Sequence, residues 1–248
     1  MFKQLKFFIM GLLVIVLSAC HSASNDELVI QKNNASSNAP PTQEVFTVKQ
    51  QEERNNLAAG YNVSLGLGYL QDGDMNLAKQ KLLNALKLSP NNAMALDAMA
   101  YYLEKTDNMK QAEVYYKKAI SKASKVDYGR AVNNYGTFLC RQSRYQESLP
   151  YFMKAVDDPS YTDIAGAYEN AGLCALEIPS PEQAEIYFKK AVANDPRRVD
   201  SLFELAKISA DQGDYASADR YLKLYFAKVK PNPETLKFQT EIQSHLTV

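Results

Sequence analysis

From about residue 44 onward, apolar residues recur at helical spacing, and the helical pattern itself repeats at a longer period. Counting from Ala59, Leu65, Gly66 and Tyr69 fall at positions 7, 8 and 11, and Ala78, Leu82, Ala85 and Pro90 at positions 20, 24, 27 and 32. The same ruler laid at Ala93 finds Met99, Ala100, Leu103, Ala112, Tyr116 and Ala119 in register. Laid at Gly129 it finds Tyr135, Gly136, Leu139, Ser148, Phe152 and Ala155, and at Ala165 it finds Ala171, Gly172, Ala175, Ala184, Phe188, Ala191 and Pro196. From Val199 it gives Leu205, Ala206, Ala218 and Leu222, with Tyr225 where the other sets have alanine. Successive starts are 34, 36, 36 and 34 residues apart, so two of the turns between repeats carry two extra residues.

This pattern has a physical reading. Small residues at positions 8 and 20 let two helices of a hairpin approach closely, large ones at 7, 11 and 24 fill the remaining space, and proline ends the second helix. These are the signature positions of the tetratricopeptide repeat (TPR). The spacing therefore predicts an all-α fold, a TPR solenoid or α-α superhelix of five hairpins over residues 44–248. Beyond Pro231 a last helix is expected over 233–246, and Leu236, Phe238, Ile242 and Leu246 are its expected contacts, because a solenoid's final hairpin needs a cap.

The N-terminal stretch follows another pattern. Lys3 and Lys6 precede an apolar run from Phe7 to Leu17, and 11 residues are too few to span a bilayer, which takes about 20. The run ends in Leu17-Ser18-Ala19-Cys20, which matches a bacterial lipobox, so residues 1–19 read as a cleaved signal and Cys20 as the lipidated new N-terminus. His21, and not aspartate, follows Cys20, which favours the outer membrane, periplasm-facing and lipid-anchored. Residues 20–43, rich in Ser, Asn, Ala and Pro, read as a disordered tether of roughly 25–30 Å root-mean-square reach.

Charge and chemistry then narrow the function. The 28 basic and 28 acidic residues balance, and a nucleic-acid partner would demand a basic face. The two histidines, His21 and His245, lie far apart, and the sequence holds no HExxH, GxSxG or Walker loop. Neither an enzyme nor a metal site is expected, and the only cofactor-like group is the covalent lipid on Cys20. Cys140 and Cys174 remain in an oxidising compartment, at positions 12 and 10 of adjacent first helices. Packed first helices bring such positions near disulfide distance, so a bridge is expected, with a pair of buried free thiols as the alternative.

A TPR solenoid offers a groove lined by its first helices. The expected lining is Val63, Leu67 and Leu70, unusually apolar for an exposed face, then Asp97, Tyr101 and Glu104, then Arg130, Asn133, Asn134, Thr137 and Arg141. Glu169, Asn170, Leu173 and Leu176 follow from the fourth repeat, and Phe203, Glu204 and Lys207 from the fifth. Asn134 and Asn170 share position 6, where a carboxamide can either read an extended peptide or bond a neighbouring helix.

Two strings narrow the resemblance further: Asn133-Asn134-Tyr135-Gly136-Thr137-Phe138-Leu139-Cys140 and Tyr168-Glu169-Asn170-Ala171-Gly172-Leu173-Cys174. With Arg144 to Phe152 after the first, they resemble the type IV pilus biogenesis and stability lipoproteins, the PilF/PilW-type pilotins. The resemblance implies a non-catalytic adaptor that helps the pilus secretin reach or assemble in the outer membrane, supporting twitching motility. That family's body usually has six repeats, whereas this chain stops after what would be the sixth's first helix. The alternative is an adaptor of another envelope complex, serving outer-membrane-protein assembly or peptidoglycan enzymes.

Overall fold

The structure, a computed structural model, describes residues 47–179 and 181–247. The signal over 1–19, Cys20 and the tether over 20–43 lie outside them. Among the described residues the chain forms eleven α-helices, paired in sequence into hairpins. The first hairpin is α1 (Val48–Gln71) with α2 (Met75–Leu88), and the second is α3 (Ala93–Lys105) with α4 (Met109–Lys122). The third is α5 (Lys125–Arg141) with α6 (Tyr145–Val156), and the fourth α7 (Ile164–Ala175) with α8 (Pro181–Asn194). The fifth is α9 (Val199–Asp211) with α10 (Tyr215–Phe226), and α11 (Pro233–Leu246) packs on α10. First helices stack on first helices, and each second helix also touches the first helix of the next repeat. This is a TPR superhelix.

Local chemistry fixes the helix starts. The side chains of Asp74, Asn92, Asp163, Asp214 and Asn232 each accept the backbone N–H three residues on, and so satisfy a donor that the first turn leaves free. In four of the five hairpins, position 15 takes a left-handed backbone, the exception being Pro179 of the fourth. Gly73 (φ 82°) and Gly213 (φ 77°) do so freely, while Asp107 (φ 62°) and Ser143 (φ 58°) do so against their Cβ.

The spacing of large and small residues works as the pattern predicts in the interior. A methyl group on Gly172 would lie 2.6 Å from the Phe188 ring, and one on Gly66 would lie 2.7 Å from Leu82. The absent side chain at position 8 is therefore the space that position 24 occupies. Tyr116, Tyr135, Phe138, Phe152 and Phe188 are buried, and the Tyr116 and Phe138 ring centroids lie 5.0 Å apart.

Two expectations need correcting at the ends. Leu65, expected to fill core at position 7, is exposed, because that position packs against the preceding repeat's second helix and none precedes α1 among the described residues. In α11, Ile242 and Thr235 are buried and Phe238 is partly so, but Leu236 and Leu246 face solvent on the helix's outer side. His245 stacks on Tyr215, with ring centroids 4.0 Å apart.

α1 is longer than any other helix, at 24 residues. Asn56 Oδ1 accepts from Ser89 Oγ at 2.6 Å, just past the end of α2. The residues from Val48 to Asn55 continue beyond that point, started by a capping box between Thr47 and Gln50.

Cys140 on α5 and Cys174 on α7 are joined by a disulfide, with Cα atoms 5.8 Å apart. The stagger of adjacent repeats absorbs the offset between positions 12 and 10. Cys174 is fully buried, and the Ser148 hydroxyl lies 2.9 Å from its sulfur.

Candidate partner-binding groove

The first helices of repeats one to three enclose a cavity of about 310 Å³. Val63 and Leu67 from α1 form one wall, and Met94, Asp97, Ala98 and Tyr101 from α3 form the floor with Tyr116 of α4. Arg130, Asn134, Thr137 and Arg141 from α5 close the far side. The cavity is thus apolar toward the first repeat and polar toward the third.

The polar side is a set of matched groups with one exception. Arg141 grips Glu104 through both Nε and Nη2, the latter 2.7 Å from Oε2, and Tyr116 donates its hydroxyl to the same carboxylate at 3.0 Å. Arg130 Nη2 lies 2.7 Å from Asp127 Oδ1. Asn134 Nδ2 donates to Asp97 Oδ2 at 2.7 Å, whereas Asp97 Oδ1 is buried without a partner among the described residues. Burial pushes the Asp97 carboxyl up to about 6, against the pull of the Asn134 bond and the charges of Arg130 and Arg141. Burial likewise pushes the Tyr116 phenol well above its usual range.

Of the residues that the sequence assigns to the groove, this cavity gathers Val63, Leu67, Asp97, Tyr101, Arg130, Asn134, Thr137 and Arg141. Leu67 is 39% exposed, but Val63 keeps only 7% of its surface and Leu70 is a core residue. The expected three-residue patch is therefore centred on Leu67, since α3 packs over one side of α1. Asn133 is buried as well, where it accepts a bond from Asn170 Nδ2 at 3.2 Å. Both position-6 asparagines thus spend a donor on the preceding repeat, Asn134 on Asp97 and Asn170 on Asn133.

Farther along, Glu169 is tied to Arg198 and to the Ser201 hydroxyl at 2.7 Å, so it braces the fourth repeat against the fifth. Phe203 packs its ring on Tyr225 and Phe238, and Lys207 pairs with Glu204. Leu173 alone of these keeps a broadly exposed apolar surface. Met94 and Ala98 of α3 join the lining without having been named for it, although they share the positions of Arg130 and Asn134, and Tyr116 enters outside the first-helix pattern because it reaches over from the second helix. Among the described residues, no group of three His, Cys, Asp or Glu side chains is placed to hold a metal, and no helix is long and apolar enough to cross a membrane.

Comparison with known proteins follows the same lines. The tetratricopeptide repeat family profile matches residues 134–198 and 180–228. The type IV pilus assembly protein PilF of Pseudomonas aeruginosa is 33% identical over 178 residues, 72% of this chain and 69% of that one. The solved structure of Pseudomonas aeruginosa PilF superposes with a TM-score of 0.71 at 30% identity, covering 78% of this chain and 86% of the other. The crystal structure of PilW, described as a widely conserved type IV pilus biogenesis factor, superposes with a TM-score of 0.66 at 29% identity, covering 77% and 87%.

Proposed function

The chain belongs to the family of type IV pilus assembly proteins that includes PilF, a family of non-catalytic TPR proteins, and from that premise we propose that it is a pilotin. In this reading it is an outer-membrane lipoprotein, anchored through lipid on Cys20 and facing the periplasm. Its groove holds a segment of the pilus secretin while the secretin reaches or assembles into its ring.

The observation that carries the reading is the cavity between the first helices of repeats one to three. It joins an exposed leucine, Leu67, to a far side that is polar and already ordered by internal bonds, which suits an amphipathic peptide. Ordering the site before the partner arrives lowers the cost of binding. The lipobox around Cys20 supports the anchor, and His21 in place of aspartate after it supports the outer membrane.

The test is to delete the gene and follow heat-resistant secretin multimers in the outer membrane. They should vanish, return with the wild-type gene, and fail to return with Leu67→Asp, whose helical circular dichroism should match wild type. Palmitate labelling should be lost in Cys20→Ser. Multimers that persist in the deletion strain would overturn the adaptor reading, and undiminished labelling of Cys20→Ser would overturn the anchor.

A further inference from the structure

The cavity between α1, α3 and α5 contains one buried carboxylate oxygen that has no hydrogen-bond partner among the described residues. Arg141 is forked onto Glu104 and Arg130 is paired with Asp127, so both guanidinium groups that face the cavity are already matched to carboxylates. Asp97 is not. Its Oδ2 accepts from a neutral carboxamide, Asn134, and its Oδ1 is buried with no partner among the described residues. A buried carboxylate oxygen left without a donor is costly to the fold, and a site that keeps one is prepared for a donor from outside.

We infer that Asp97 receives a basic side chain, lysine or arginine, presented by the partner segment, with its methylenes lying over Val63 and Leu67. This deepens the groove reading above and rests on it. A long basic side chain suits both halves of the cavity, because its stem is apolar and only its head is charged. Asp97 lines the cavity, so a basic head entering it comes near the Asp97 charge while Asn134 keeps its bond. An acidic side chain would find the guanidinium groups already engaged and the Asp97 charge opposed to it. Burial raises the Asp97 carboxyl despite the nearby charges of Arg130 and Arg141, which fits a site that a further cation would stabilise.

The test uses the full chain in detergent and three peptides, fluorescein-Ala-Leu-X-Leu-Ala-amide, labelled on the N-terminal amine, with X as lysine, norleucine or glutamate. Anisotropy at pH 7.5 should rank lysine about tenfold tighter than norleucine, with glutamate weakest. Asp97→Asn keeps the shape of the side chain and should bring the lysine and norleucine peptides to the same affinity. If that variant loses its helical signal, acetyl-lysine at X makes the same comparison on the wild-type protein and should bind no better than norleucine. Tightest binding of the glutamate peptide would mean that the arginines read a carboxylate, and would overturn the inference. Equal affinity of lysine and norleucine for wild type would overturn it too, as would a lysine advantage that survives Asp97→Asn or acetylation, or no binding by any peptide at millimolar concentration. A protein that supports secretin multimers but shows no lysine preference defeats this inference alone, whereas multimers that survive gene deletion defeat the adaptor reading.

Discussion

Leu65 and Leu205 hold the same place in their repeats, yet Leu65 is 49% exposed and Leu205 only 1%. The difference lies in what precedes each. Leu205 meets α8, the second helix of the repeat before it, and Leu65 meets no such helix among the described residues. Leu57, Tyr61 and Leu65, spaced four apart on α1, therefore form an open apolar stripe at the N-terminal edge, while α11 closes the C-terminal edge with Ile242 against Ala218 and Leu222. A solenoid's residues are worth what their neighbours make of them, so equal sequence positions need not carry equal energy.

The sharpest way to break this comparison is one carboxylate at each edge. Ile242→Asp should lower the stability by about 3–5 kcal/mol, since it buries an unpaired charge in place of a packed side chain. Leu65→Asp should change it by no more than about 0.5 kcal/mol, as surface changes do. Urea denaturation of the two variants checks both. Equal losses would mean that something covers the open edge.

The next effect concerns the middle of the stack. Removing the Cys140–Cys174 bridge by Cys140→Ser with Cys174→Ser should cost about 2–4 kcal/mol in guanidinium denaturation. Because the bridge ties repeats three and four, hydrogen exchange at both edges should change least. Mass spectrometry of the unreduced protein should find neither thiol alkylatable.

A comparable effect belongs to the half of the stack nearer the open edge. The Asp97 carboxyl is raised from 3.8 to about 6, so between those values the folded state holds a proton that the unfolded state has released. Stability should therefore fall as pH rises through that window, by up to about 3 kcal/mol, and Asp97 should add no further slope above pH 6 or so. Asp97→Asn should flatten that part of the curve. An unchanged slope in the variant would assign the dependence to other carboxylates.

The smallest effect is common to both edges. Ser143→Gly should gain about 0.5–1 kcal/mol by relieving a left-handed backbone, provided the glycine's extra freedom in the unfolded chain does not cancel it. Gly73→Ala and Gly213→Ala, one near each edge, should each lose about 1 kcal/mol, a matched pair that calibrates thermal shifts at the two ends.

The hairpins were legible in the sequence because their packing is periodic: Gly136 and Gly172 stand opposite Phe152 and Phe188 wherever the ruler is laid. The groove was legible only in part, for a reason that is equally physical. Position along a first helix says which face a side chain occupies, but the packing of adjacent repeats decides how much of that face remains open, and this buries Val63, Leu70 and Asn133. Asn134 and Asn170 bond residues 37 positions earlier in the chain, a pairing with no trace in local pattern. The left-handed turns at Asp107 and Ser143 could have been found by aligning them with Gly73 and Gly213.

The long first helix has a consequence for reach under load. Its eight residues from Val48 to Asn55 lie past the Asn56–Ser89 bond and most of them are exposed, with helix continuity and the Thr47 cap among what holds them. As helix they span about 12 Å; drawn out, the same residues span up to about 27 Å. Pulling on the chain at Thr47 would thus unwind this stub before it disturbed any packed repeat. The body would gain about 15 Å of travel at little cost, and the stub would rewind when the tension fell.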